Sequence, residues 1–411
     1  MTRSEVLWKK EVHTFVENGR PIVFDVVELN AWLMNSVEHD VLEAIDGQMP
    51  ENTIAERLSD RYPADEVRAA IETWRMRGVL LDQKPSPASV QEDVPAVPTF
   101  MTLNVAQVCN LRCKYCFAIA GTYDGAGIMS QEVARAVVDM LMRRSGEEKR
   151  VSILFFGGEP LLNMEAVSCV IEYAREQAKA YGKSVGFFMI TNGVKLTPQN
   201  VDYLVQQGVR IEISIDGPAE VHDLCRVFAD GRGSYKQVEA GARALIERSR
   251  WPVAANATLT RHHPRLKEIV AHFESLGFVG SGIKLCELIE KQEDLFDMAL
   301  TPEDIVALQE DIREYVHDLI AQDEFTPAFS NVLGFRQFVK QLANRQARIV
   351  NCGVGRYLIS VSANGDVYPC YTLIGVKNYR LGNVLAGSLH FELLEDIRLA
   401  SNVNERPSCQ N

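Results

Sequence analysis

Three cysteines, Cys109, Cys113 and Cys116, fall inside the stretch "QVCNLRCKYCFAIAG", and no fourth thiol follows nearby. Ligation by thiolates alone at such tight spacing suits zinc or an iron-sulfur cluster. A structural zinc site closes its shell with four protein ligands, whereas three ligands describe a metal centre that keeps one position for something else. The spacing therefore predicts a four-iron cluster on Cys109, Cys113 and Cys116 whose fourth iron is open to a substrate or cofactor.

Further along, "FFGGEP" puts Gly157 and Gly158 where backbone can approach a ligand closely, beside a carboxylate, Glu159, able to accept from an ammonium group. The segment "TNG" brings Asn192. "SIDGP" brings Ser214 and Asp216, two apart on an expected strand and so on one side of it, within reach of vicinal hydroxyls. Arg226, in "HDLCRVFADGRGSY", is a candidate partner for a carboxylate. Near the end, "CGVGRYLISVSANGDVYPC" carries Cys352 and Cys370, and its alternation across Asn364 and Gly365 reads as a hairpin with a thiolate at its exit. Two cysteines there are also compatible with plain core packing. His262 and His263 precede a helix as exposed turn residues, Cys169 reads as core, and Cys225 and Cys286 lie in or near the mouth of the expected barrel without an assigned role.

These groups need a frame. From Phe100 onward, β-rich runs ("FMTLNVA", "VSILFF", "VGFFMI", "VRIEISI", "VAANATL", "GIKLCEL") alternate with segments of helical period. One such segment is "SQEVARAVVDMLMRR", where Ser130 can cap and Val133, Val137, Val138 and Leu141 share a face. Six repeats predict an α/β fold with right-handed crossovers and a parallel sheet, an open or partial (β/α)6 TIM-like barrel over residues 100–300, with chemistry at the carboxyl ends of the strands. The clustered cysteines follow the first strand directly, and the other candidates sit at successive strand ends. Residues 301–345 read as bridging helices.

Upstream, "EVHTFVENGRPIVFDV" alternates around Asn18 and Gly19, a strong hairpin signal. Three helical segments follow, the third opening on Pro63 and closing on Gly78, with "GVLLDQ" read as a returning strand. Residues 1–82 thus predict a winged-helix domain. Its third helix mixes Asp65, Glu66 and Glu72 with its arginines, which disfavours a phosphate backbone as partner. Residues 83–99, with Pro85, Pro87, Pro95 and Pro98, are linker chemistry. The whole chain of 411 residues carries a formal net charge of -12, again unlike a nucleic-acid binder. No signal sequence or long apolar run suggests secretion or a membrane, so a cytoplasmic location is expected. Nine cysteines in such a chain point to metal or redox chemistry, not disulfides.

The three-then-two cysteine spacing, with Tyr115 just before the last cysteine and Phe117 just after it, resembles the radical S-adenosylmethionine (SAM) enzymes. The resemblance implies that the open iron chelates the amino and carboxylate groups of SAM, and that a reduced cluster cleaves the sulfonium to give a 5'-deoxyadenosyl radical. It also implies roles for Gly157, Gly158 and Glu159 at the methionyl amine, for Asn192, Ser214 and Asp216 around the ligand, and for Arg226 at the SAM carboxylate. Cys352, Cys370 and Cys409 resemble the start of a SPASM domain, which holds up to two auxiliary four-iron clusters through seven cysteines. Residues 346–411 would be that domain. The sequence ends two residues after Cys409, short of the remaining cysteines of the pattern.

Taken together, the chain resembles maturases of ribosomally made peptides or small proteins that carry an N-terminal leader-recognition domain. Among these, "CKYCFAIAGTYDG" and "HDLCRVFADGRGSY" are most similar to thioether-forming maturases, of the SCIFF and quinohaemoprotein amine dehydrogenase types. The implied partners are a peptide or small protein with a leader and an external electron donor of flavodoxin or ferredoxin type. Three functions follow for testing: thioether formation from cysteine, other SPASM chemistry such as formylglycine formation or carbon-carbon crosslinking, and a non-enzymatic metal-binding DNA adaptor.

Overall fold

The computed structural model describes residues 6–10, 12–25, 28–47, 49–84, 97–123, 125–263, 265–286, 297–322, 331–332, 341–344 and 353–400. Cys352 and Cys409, and most of the expected linker, lie outside the described residues. The described residues fall into two units, the first holding the chain up to Lys84 together with residues 341–344 and the second holding residues 97–332 and 353–400.

In the first unit, β1 (Trp8–Lys9) is followed by β2 (Val12–Glu17), β3 (Arg20–Asp25) and β4 (Asn30–Leu33), then α1 (Ser36–Ala44), α2 (Glu51–Arg57), α3 (Ala64–Met76) and β5 (Leu80–Leu81). The hairpin forms where expected, with Asn18 at φ 50° and Gly19 at φ 72°. Both residues of its turn are left-handed, which matches the twist of the strands they join. The sequence reading missed β4, which adds to β3 to give a three-stranded sheet in the order β2-β3-β4. The returning strand β5 exists, but it pairs with β1 and not with the hairpin. Asn35 and Glu38 make a reciprocal capping box at the start of α1. Leu7, Val23, Leu42, Ile54, Ile71 and Trp74 close a core private to this unit. Arg75 of α3 is spent on Glu51, Glu72 and Asp82.

The second unit alternates as the sequence suggests: β6 (Phe100–Ala106), α4 (Gln131–Arg144), β7 (Arg150–Gly157), α5 (Met164–Ala180), β8 (Ser184–Thr191), α6 (Pro198–Gln206), β9 (Arg210–Ser214), α7 (Ala219–Cys225), α8 (Tyr235–Arg248), β10 (Ala254–Leu259), α9 (Leu266–Leu276), β11 (Gly280–Leu285) and α10 (Pro302–Gln322). Strands β6 to β11 are mutually parallel and lie in sequence order. The strands alternate: Val151, Ile153 and Phe155 of β7 point into the core under the helices, while Leu154 and Phe156 face the other side. Ser130 caps α4 by accepting from the Val133 amide at 3.2 Å, and Val133, Val137, Val138 and Leu141 are buried as the periodicity predicts.

Four further strands complete the sheet: β12 (Asn331–Val332), β13 (Leu358–Val361), β14 (Asp366–Tyr368) and β15 (Gly382–Asn383). Among the described residues the order is β12-β11-β10-β9-β8-β7-β6-β13-β14-β15. β13 pairs parallel to β6, with Ile359 opposite Met101. The late hairpin therefore extends the central sheet next to its first strand, and after the antiparallel β14 the chain turns so that Tyr371, next to Cys370, packs on Phe117 of the cysteine segment and Phe156 of β7.

Candidate functional site

Gly157 and Ser214 close strands β7 and β9, and Cys109, Cys113, Cys116, Gly158 and Asn192 follow the carboxyl ends of β6, β7 and β8, where a parallel sheet leaves its crevice; Arg226 follows α7. The loop after β6 carries Cys109, Cys113 and Cys116. It is held by main-chain contacts to the segment after α7: the Arg112 amide donates to the Val227 carbonyl at 2.7 Å and the Lys114 amide to the Cys225 carbonyl at 3.0 Å. It then leaves through Ile119, Ala120 and Gly121, all left-handed, which costs the two L-residues about 1–2 kcal/mol each. Gly121 is pressed against Gly158: a β-carbon on Gly121 would stand 2.3 Å from the Gly158 Cα. Gly158 in turn abuts the Val108 carbonyl. Three backbone segments meet here without side chains between them.

A cavity of about 220 Å³ opens over this contact. All three cysteines line it, together with Gly157, Gly158, Asn192, Ser214 and Arg226. Burial pushes the Cys109 thiol up to about 11, against the pull of the Leu111 amide, and the Cys113 thiol up to about 12, against the nearby Arg226 charge. Thiols so placed stay protonated unless a metal supplies compensating charge. Among the described residues no three His, Cys, Asp or Glu side chains converge on a single ion. A lone zinc would need every sulfur about 2.3 Å from one point. A four-iron cluster instead offers each thiolate its own iron, so thiols spread along one wall fit it.

Two of the expected ligand residues stand behind the cavity wall. Glu159 is fully buried and absent from the cavity wall. Its carboxylate accepts from the Thr191 hydroxyl at 2.7 Å, the Asn192 amide at 2.8 Å and the Leu161 amide at 3.0 Å, and burial raises it to about 7. It ties the end of β7 to the end of β8, and the two glycines before it are what reach the cavity. Asp216 is likewise buried and off the wall. It lies beyond the last residue of β9, so it does not share a strand face with Ser214. Its Oδ2 accepts from the Tyr115 hydroxyl at 2.5 Å, and its Oδ1 accepts from the Thr258 amide at 3.2 Å and lies 3.0 Å from Arg226 Nε.

Asn192 donates through Nδ2 to Asn110 Oδ1 at 2.8 Å and toward Cys109 Sγ at 3.7 Å, steadying the cysteine loop. Arg226 is almost fully buried, with its guanidinium 5.3 Å above the Tyr115 ring. Burial opposes its charge, but Asp216, Tyr115 and Cys113 more than offset this and hold its pKa above the usual arginine value.

The cavity also has walls of which the sequence reading named only Cys286, near the barrel mouth. Asn256 and Thr258 of β10, Lys284 of β11 and Cys286 just after it complete one side. Asn256 sits directly across from Ser214 in the strand register and donates to Glu212 at 2.6 Å. The alternation in "VAANATL" was the available signal. On the other side stand Tyr371 and Thr372, immediately after Cys370, whose sulfur accepts from the Thr372 hydroxyl at 3.2 Å. Tyr371 packs on Phe156 and Phe117, with ring centroids 4.8 and 5.8 Å apart. Cys169 is in the core as expected, and His263 is paired with Glu268 at 3.5 Å. No helix among the described residues is long and apolar enough to cross a membrane.

Residues 103–274 match the model of the radical SAM superfamily, and residues 352–410 match that of the SPASM iron-sulfur cluster-binding domain. The chain is 29% identical over 171 residues to the radical SAM cyclopropyl synthase TigE of Paramaledivibacter caminithermalis, covering 39% of this chain and 35% of that protein. It is 26% identical to a serine-type anaerobic sulfatase-maturating enzyme of Bacteroides thetaiotaomicron, covering 70% of this chain and 72% of the relative. The crystal structure of Streptococcus suis SuiB bound to precursor peptide SuiA superposes with a TM-score of 0.54 at 11% identity, covering 96% of this chain and 89% of that one. Residues 103–274 and 352–410 make this chain a radical SAM/SPASM protein, with four-iron clusters and SAM as its cofactors.

Proposed function

We propose that this protein is a peptide maturase that forms intramolecular thioether crosslinks from cysteine in a ribosomally made peptide or small protein. One observation carries the reading: Tyr371 and Thr372, next to the SPASM cysteine Cys370, line the same cavity as Cys109, Cys113 and Cys116. A substrate side chain held over the first cluster is thus also within the reach of the segment that would hold the second. The relative that matures sulfatases and the fold shared with a precursor-peptide complex support a peptide substrate.

When bound, the cluster and SAM supply the one-electron chemistry that removes a hydrogen atom from a substrate carbon. This chain's residues seat and enclose them. Cys109, Cys113 and Cys116 would hold the cluster, and Cys352, Cys370 and Cys409 would take part in auxiliary ligation. The Gly157–Gly158 backbone would lie along the methionyl amine, Arg226 would meet the SAM carboxylate, and Ser214 would hydrogen-bond the ligand from the β9 end. Asn192 and Asp216 act from behind, on the loops that carry these contacts. Phe117, Phe156 and Tyr371 keep water from the reacting carbon. In the first unit, β2 is an edge strand among the described residues, with Phe15 and Val16 exposed, a surface to which an extended leader can add through main-chain hydrogen bonds. Tethering by the leader raises the core peptide to roughly millimolar local concentration. The reducing electron comes from an external flavodoxin- or ferredoxin-type donor.

The test is anaerobic incubation of the reconstituted enzyme with SAM, a reductant and Cys-containing peptides encoded beside its gene, followed by tandem mass spectrometry. Thioether formation removes two hydrogens and blocks the cysteine to alkylation. Formylglycine, the second reading, is supported by the similarity to the serine-type sulfatase-maturating enzyme and would change the residue itself. An alkylatable cysteine beside a formylglycine would overturn the thioether reading.

A further inference from the structure

We propose that Asp216, His222 and Ser234 form a buried brace that fixes the Arg226 guanidinium in place as the seat for the carboxylate of SAM. The inference rests on the reading of Arg226 given above and assigns roles to two residues outside the cavity.

The hydrogen bonds close a ring. The Asp216 amide approaches His222 Nδ1 at 3.4 Å, so Nδ1 is the acceptor and the ring proton sits on Nε2. Nε2 then donates to Ser234 Oγ at 2.9 Å, and that hydroxyl donates to the Arg226 carbonyl at 2.8 Å. From Arg226 the circuit returns through Nε to Asp216 Oδ1 at 3.0 Å, an ion pair without hydrogen-bond alignment. Arg226 is thereby gripped at two points, its main chain and its Nε, while the residue as a whole reaches the cavity wall.

Two features show that the ring is more than packing. Ser234 occupies the position before α8 where a serine normally caps the helix, yet its hydroxyl makes no capping bond and is spent on His222 and Arg226 instead. His222 and Ser234 are completely buried. Such a pair is costly to place unless its geometry matters. An arginine serving only as a counter-charge for Cys113 would need no grip on its main chain. A planar guanidinium meeting a carboxylate in a forked pair depends steeply on orientation.

The experiment uses the reconstituted holoenzyme and calorimetric titration with two ligands. SAM is one; decarboxylated SAM, which keeps the sulfonium, adenosine and amine but lacks the carboxylate, is the other. The parent should bind SAM more tightly. In Ser234→Ala the brace is cut, and SAM affinity should fall roughly tenfold while affinity for decarboxylated SAM changes less than about twofold. Ser234→Thr, which keeps the hydroxyl, should restore the parent value. Equal losses for both ligands, or no loss for either, would overturn the brace. A parent that binds the two ligands equally would overturn the Arg226 reading itself. If Ser234→Ala does not take up its cluster, His222→Gln put through the same two titrations decides between the same outcomes.

Discussion

A methyl group added at Gly158 would stand 2.2 Å from the Val108 carbonyl oxygen and 2.6 Å from its carbon. Carbon and oxygen come no closer than about 3.3 Å even in weak C–H···O contacts, so one backbone segment must move by about 1 Å. Gly158 has little room to retreat toward Gly121, where even a β-carbon added on Gly121 would stand 2.3 Å from the Gly158 Cα. The displacement must therefore fall on Val108, whose next residue is Cys109, and on the hydrogen bond from the Glu159 amide to the Val108 carbonyl at 3.0 Å. Overpacking of this kind costs about 1–3 kcal/mol of stability. A shift of about 1 Å at a positioned reactant costs about a hundredfold in rate. Gly158→Ala should fold, with a lowered Tm, and should cleave SAM about a hundredfold more slowly than the parent under dithionite. Gly125→Ala is the control: it has no heavy atom within 4 Å and should behave as the parent. 5'-Deoxyadenosine measured by chromatography is the readout, with circular dichroism to confirm the fold. SAM cleavage by Gly158→Ala within about twofold of the parent would refute the argument from backbone contact.

Three other outcomes are expected. Cys113→Ala should abolish SAM cleavage and lower bound iron while leaving the circular dichroism spectrum unchanged, since its side chain lines a cavity and does not pack in the central core. Deleting residues 1–82, which carry their own core, should weaken peptide binding in a fluorescence titration and leave uncoupled SAM cleavage intact. In the apo-protein, the folded chain holds a proton on Glu159 that the unfolded chain releases between pH 4.5 and about 7, so this contribution is complete below pH 4.5 and lost by about pH 7, a change of about 3 kcal/mol. His222 slopes the other way: burial lowers it to about 3, so its contribution is complete above pH 6.5 and lost as the pH falls toward 3. Urea unfolding across this range should show stability rising with pH more steeply in Glu159→Gln than in the parent.

What the sequence made legible was periodicity and spacing. The six parallel strands, the α4 face and the Asn18–Gly19 turn are local patterns, and each appears as read. The cavity was legible to the extent that its residues sit at strand ends: Cys109, Cys113, Cys116, Gly157, Gly158, Asn192 and Ser214 meet there, and Arg226 joins them from the end of α7. What could not be read was the direction of a side chain just past a strand, where the two-residue alternation stops applying. Asp216 belongs to that class: two residues beyond the strand end, its carboxylate turned to Tyr115 and Thr258. The same limit hid β4 and the partner of β5, because pairing between short segments depends on tertiary contacts that leave no periodic trace.

The two carboxylates behind the cavity wall share a physical setting. Both Glu159 and Asp216 are withdrawn from the cavity and satisfied by donors of the chain itself. As a result the cavity wall carries two cations, Arg226 and Lys284, and no carboxylate among its described residues, in a protein with a formal net charge of -12. A carboxylate left on the wall would repel three thiolates and the carboxylate of SAM at short range, where the low dielectric makes each such contact expensive. Turning the acids inward removes that repulsion and uses them as struts: one joins two strand ends, and the other holds the arginine. The anionic surface of the molecule and the cationic lining of its cavity are therefore consistent with each other, because the site has to accept a cluster with three thiolate ligands and an amino-acid carboxylate together.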